Sequence, residues 1–259
     1  MLQLKYRALS LLALAIAAPG VALSEAGSLA RFSPGESSGM TSAADRSNVS
    51  KDLLAAIENV RLDADLPGFA EHQKLSLVAQ EHARDMARRH YAADVSPEGR
   101  TLLDHVRQAD RQTLYSAFGT AIAIVDAGTS ADTVLAALMS DPSNKENLLR
   151  SGFDHVGIGA VEQGGRLYVV QLLARVEGQL QRPLPVNSSG AESLRVDLAA
   201  RGMTPVSWSL SDGAGTTLLR GTGERIRDPR GTGAEGYLNL DVAMGPDVYT
   251  LRGPYVRVN

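Results

Sequence analysis

The chain has 259 residues, of which 44% are hydrophobic, a formal net charge of −3 and no cysteine. The length allows one medium domain or two small ones. The mild acidity disfavours nucleic acid as a partner, and the lack of thiols excludes disulfides, a cysteine nucleophile and a lipid-modified cysteine.

Residues 1–24 have the three parts of a secretory signal: Lys5 and Arg7, an apolar run over residues 8–18 too short to span a bilayer well, and small residues "ALS" ending at Ser24. This predicts a secreted or periplasmic protein, with no transmembrane segment once the signal is removed. Export without disulfides fits a bacterial protein stabilised by its core alone. Residues 25–50 are rich in Ser, Gly and Ala without periodicity and read as a flexible linker. Their "GESSG" matches G-x-S-x-G, but it lacks the strand before and the helix after that a nucleophile elbow requires.

From Lys51 the pattern becomes helical. Leu53, Ile57 and Val60 fall on one face, with Ser50 as the expected cap. Leu75, Val78, Ala79, His82 and Met86 repeat the stripe, which makes His82 a core histidine. "SPEGRTLLDHVRQ" turns at Pro97 to Gly99 into a short helix, and Ser130 caps another that carries Val134, Leu135, Leu138 and Met139. "HVGIGAVEQGGRLYVVQLLARV" alternates, turns at Gly164–Gly165 and returns, which is a β-hairpin pattern. Helices followed by a hairpin predict an α+β arrangement. Residues 179–192 hold two prolines and a Ser/Gly cluster and read as a linker. Short alternating runs over residues 193–259 predict a small, sandwich-like all-β module. Trp208, between Val206 and Leu210, is expected in its core. "GTGAEG" precedes a strand rather than a helix and reads as a loop.

Several pieces of residues 51–178 resemble, in order, the CAP superfamily (SCP domain) in its compact bacterial secreted form. "AIENVRLDADLPGF" is similar to the family's first helix, with Asn59 and Arg61 approximating its Asn-x-x-Arg element. "LVAQEHARDMARRHYAADVSPEGRTLLDHVR" follows its second helix and Ser-Pro turn. "FGTAIA" stands where the family has Gly-Glu-Asn-Ile-Ala. "VLAALMSDPSNKENLL" follows its Trp-Met-x-Ser-Pro-Gly-His-Arg-x-Asn-Ile-Leu segment, and "FDHVGIGAVEQGGRLYVVQLLA" its terminal hairpin. The resemblance implies an α-β-α sandwich with a cleft where histidines and acids converge, in many members around a divalent metal.

Carried over position by position, the cleft histidine before Ser-Pro becomes Asp94. The glutamate becomes Thr120, the second histidine Asn144, and the acid before the hairpin glycine His155. Asn144 cannot act as a general base at neutral pH or ligate zinc well, and Thr120 carries no charge. Two remaining candidates fall short of the three protein ligands a zinc site needs, so no metal, cofactor or catalytic residue is assigned. The expectation is a non-catalytic binding protein for a small amphipathic ligand, a cell-wall fragment or a protein partner. The β module would help to anchor or recognise. The alternative is a hydrolase built on Asp94 and His155. His72 reads as exposed, and Asp63, Asp65, Asp104 and Asp110 read as solvated surface.

Overall fold

A computed structural model describes residues 43–229, 231 and 233–258. The expected signal, "GESSG" and the linker up to residue 42 lie outside them. The elements run α1 (Ala43–Asp63), β1 (Ala70–Glu71), α2 (Gln73–Arg89), α3 (Leu102–Ala109), β2 (Thr113–Asp126), α4 (Ala131–Ser140) and α5 (Pro142–Leu148). They continue with β3 (His155–Gln163), β4 (Arg166–Leu180), β5 (Asn187–Ser188), β6 (Val196–Leu198), β7 (Thr204–Ser211), β8 (Thr217–Gly221), β9 (Glu235–Met244) and β10 (Asp247–Val258). The class is α+β, as the pattern predicts. Helix α1 starts at Ala43 rather than after Ser50, so residues 43–50, expected in the linker, are helical. Val49 packs on the core, and tertiary packing of this kind lengthens a helix past its local cap signal.

The sheet runs β1-β3-β4-β2-β10-β9-β7-β8. Alternation along β4 feeds two cores. Leu167, Val169 and Leu173 pack with Leu53, Ile57, Val134, Leu138 and Leu148 of α1, α4 and α5. Tyr168, Val170, Leu172 and Ala174 pack with Leu75, Val78, Met86, Leu102 and Val106 of α2 and α3. Helices therefore cover both faces of this half of the sheet. Helix α2 lies directly on β3 because two positions there lack a side chain: a Cβ on Gly157 would sit 2.1 Å from Ser76 N, and one on Gly159 2.2 Å from Gln80 N.

The sequence places a boundary at 179–192, but the sheet runs across it. β10 pairs with β2 at Arg252↔Tyr115, β6 pairs with β4, and β5, inside the expected linker, pairs with β10. Leu180 and Leu184 are buried in a third core with Leu114 of β2 and Trp208, Leu238 and Leu251 of the C-terminal strands. Buried Arg107 of α3 ties the halves together, donating from Nε to Gly253 O at 2.7 Å and from Nη2 to Leu238 O and to Asn239 Oδ1 at 3.0 Å. Burial lowers its pKa to about 10. The described residues fall in one compact unit, Met40–Asn259. Pro, Ser and Gly mark a turn equally well whether the chain beyond it leaves or returns to the same sheet. Trp208 is in the core, as expected. Val206 is exposed, because a register shift between Pro205 and Ser207 breaks the alternation.

Candidate functional site

Past Tyr115, β2 has β4 on one side and no registered strand on the other. Helix α5 closes that open edge. Asp141 caps α5, accepting from Asn144 N at 2.8 Å, and Pro142 fits the first turn, where no N–H is needed. Asn144 then donates from Nδ2 to Ile122 O at 3.0 Å and accepts at Oδ1 from Ile122 N at 3.2 Å. Asn147 Nδ2 donates to Thr120 O at 2.8 Å. An amide offers a donor and an acceptor side by side, as a strand backbone does. Where the resemblance expects a histidine, this chain thus holds a side-chain substitute for a β partner. Thr120 and Asn144 thus meet through α5 and β2, Asn144 at Ile122 and Asn147 at the Thr120 carbonyl, by backbone contacts rather than as a shared ligand set.

Asp94 and His155 are far apart. His155 lies against the N-terminus of α2, its ring 5.8 Å from that of His72. Asp94 follows Ala93, whose carbonyl bonds His82 Nε2 at 2.7 Å. Ten residues of α2 separate His72 from His82, about 15 Å of helix. The carboxylate that orients His155 is its neighbour Asp154, at 2.6 Å from Nδ1. Asp154 Oδ1 also accepts from Val176 N, and Arg175 stands 3.5 Å from Oδ2. The Asp94–His155 pair has no geometric basis here.

Two residues read as solvent-facing are drawn inward: Asp110 is buried and His72 half-buried. His72 caps α2, its Nδ1 accepting from Leu75 N at 3.4 Å. The neutral ring therefore carries its proton on Nε2, which points to Thr113 Oγ1 at 3.3 Å, with Asp110 Oδ2 at 3.8 Å. With Nδ1 already engaged, the ring has no free lone pair for general-base work. Its pKa is lowered, chiefly by burial and further by His155, against the pull of Asp110. Asp110 is 4% exposed. Burial pushes its carboxyl up, but the Thr113 N–H, the Tyr115 hydroxyl at 2.6 Å and the Gln112 N–H outweigh it and hold it low. Asp104 forms a capping box with Thr101 at the start of α3. The helix-entry position of His72 and the Asp-x-x-Thr turn at Asp110 were the available cues.

A groove of about 490 Å³ runs between α1 and α2, over the outer edge of β3. Leu54, Leu77, Val156 and Ile158 supply apolar surface, with Lys51, Glu71, Gln80 and Arg84 around them. Leu77 is 47% exposed. None of Asp94, Thr120, Asn144 and His155 lines it.

Residues 54–173 match the model of the CAP family, described as the cysteine-rich secretory protein family. No curated protein matches the chain. Among solved structures, the chain is similar to an outer surface protein of Borrelia burgdorferi, with 20% identity, 50% of this chain and 94% of that one covered, and a TM-score of 0.45. It is also similar to an extracellular SCP-domain protein of Bacillus anthracis, with 20% identity, 53% and 45% covered, and a TM-score of 0.42. A cysteine-rich secretory protein of Staphylococcus aureus gives 16% identity, 52% and 41% covered, and a TM-score of 0.38.

Proposed function

We propose that the CAP domain formed by residues 54–173 is an exported, non-catalytic binding module that takes a small amphipathic ligand in the α1–α2 groove. The observation that carries this reading is the groove itself: an apolar floor bordered by charged and amide side chains, the usual make-up of a small-molecule site. The absence of a shared site for Asp94 and His155 supports binding over hydrolysis. The test is fluorescence titration with a dansylated medium-chain fatty acid. Leu77→Asp places a charge on the apolar wall without touching the core, and should weaken binding about tenfold or more. Equal binding by wild type and Leu77→Asp would move the site elsewhere. No binding of the probe, with retention of a cell-wall fragment or a protein partner, would replace the ligand class.

A further inference from the structure

Residues 193–195, just before β6, run between two other segments. On one side Gln181 N donates to Arg195 O at 2.8 Å, extending the β4–β6 pairing past Leu180↔Val196. On the other side Ser193 and Arg225 form an antiparallel bridge, and Leu194 N donates to Glu224 O at 2.7 Å. Strand parity sorts the side chains. Leu194 joins Leu180 in the third core, and Ser193, Arg195, Gln181 and Arg225 take the opposite face. Arg225 lies opposite Ser193 and therefore diagonal to Arg195, a spacing that long side chains bridge. These four, with Arg182 and Glu224, line a surface cavity of about 310 Å³. Three guanidiniums share it with one carboxylate. Glu224 Oε2 accepts from Arg195 Nε at 2.8 Å; among the described residues the side chains of Arg182 and Arg225 have no partner. Ser193 Oγ accepts from Arg195 N at 3.2 Å, which leaves its hydroxyl hydrogen free to donate. Unneutralised guanidiniums around one cavity, in a chain of formal net charge −3, repel each other and gain most from an oxyanion that they can bond together.

A second cavity, of about 330 Å³, adjoins the first at the Arg195–Glu224 pair: Gln181, Arg195 and Glu224 line both. Its other walls are mainly apolar, from Leu194, Val196, Pro205, Val206 and Leu240. Val206, turned outward by the register shift in β7, is 48% exposed beside this slot. We propose that the two cavities form one site for an amphiphilic oxyanion. The head lies among Arg182, Arg195 and Arg225, and a short apolar chain lies along Pro205 and Val206. The site shares no residue with the α1–α2 groove and does not depend on it. Glu224 competes with the ligand for Arg195, so the anion enters by taking over part of that ion pair.

The experiment is a phosphorus NMR titration of the full chain with inorganic phosphate and with hexyl phosphate. Hexyl phosphate should bind about fivefold more tightly than phosphate. Arg225→Gln should weaken both about fivefold. Val206→Ser should weaken hexyl phosphate alone. Glu224→Gln, which frees Arg195, should tighten both, a gain that a folding defect cannot produce. Leu77→Asp, in the α1–α2 groove, should change neither. Equal affinity for the two probes would leave the slot unused and overturn the inference. So would an Arg225→Gln variant that binds as wild type does, or loss of hexyl phosphate binding in Leu77→Asp, which would move the ligand to the other groove. Retention on phosphatidylglycerol vesicles without binding of soluble hexyl phosphate would make the arginines a membrane contact and overturn it as well.

Discussion

Replacing Asn144 tests whether this position now serves the sheet. Its amide makes two bonds to one residue, Ile122, at 3.0 and 3.2 Å, on an edge with no registered strand. Each such bond is worth about 0.5–1.5 kcal/mol net, so Asn144→Ala should cost about 1–3 kcal/mol. Asn144→Asp is the sharper variant. It keeps shape and acceptor but turns a carboxylate oxygen toward the Ile122 carbonyl, and should cost at least as much as alanine. Asn144→His restores the residue the resemblance expects, yet its ring cannot supply an adjacent donor and acceptor to one backbone unit; an intermediate loss is expected. Urea unfolding followed by the fluorescence of Trp208, the single tryptophan, reads the midpoint, and an unchanged slope assigns the shift to stability. A loss below about 0.5 kcal/mol for Asn144→Ala, or an Asp variant as stable as wild type, would refute the edge-partner role.

Arg61 is fully buried and donates to the Leu148, Arg150, Phe153 and Pro67 carbonyls. Arg61→Met should cost about 2–6 kcal/mol in the same assay, since the Leu148 and Phe153 acceptors would stay buried without a donor. The lowered pKa of His72 means that the unfolded chain takes up its proton first, so this residue's contribution is full above about 6.5 and lost as pH falls toward the folded value. His72→Asn, which caps without titrating, should flatten the melting temperature against pH between about 5 and 7 relative to wild type. Because the sheet and Arg107 join residues 193–259 to α3 and β2, Trp208 fluorescence and far-ultraviolet circular dichroism should report one coincident transition. Two separated transitions would restore an independent boundary at 179–192. Intact-mass measurement of exported protein should show residues 1–24 removed; retention of Met1 would count against the signal reading.

Local pattern carried the parts of this protein that local pattern can encode. Helical spacings marked the buried faces of α2 and α4, alternation marked Val156, Ile158 and Ala160 of β3, and Gly164–Gly165 marked the hairpin, where both residues take positive φ. They also placed His82 and Trp208 inside. The family resemblance located Asn144, but its role depends on β10 pairing β2 only at Tyr115, more than 100 positions away, and leaving the remaining edge open. His72 reads as surface because its burial comes from β3 and from the turn at Asp110, neither of which is near it in sequence. The spacing of Asp94 and His155 along the chain says nothing about the length of α2 that holds them apart. Periodicity reports which side of an element faces inward. Which element lies against that side, and which backbone groups are left without a partner, follows from long-range pairing that only the folded sheet decides.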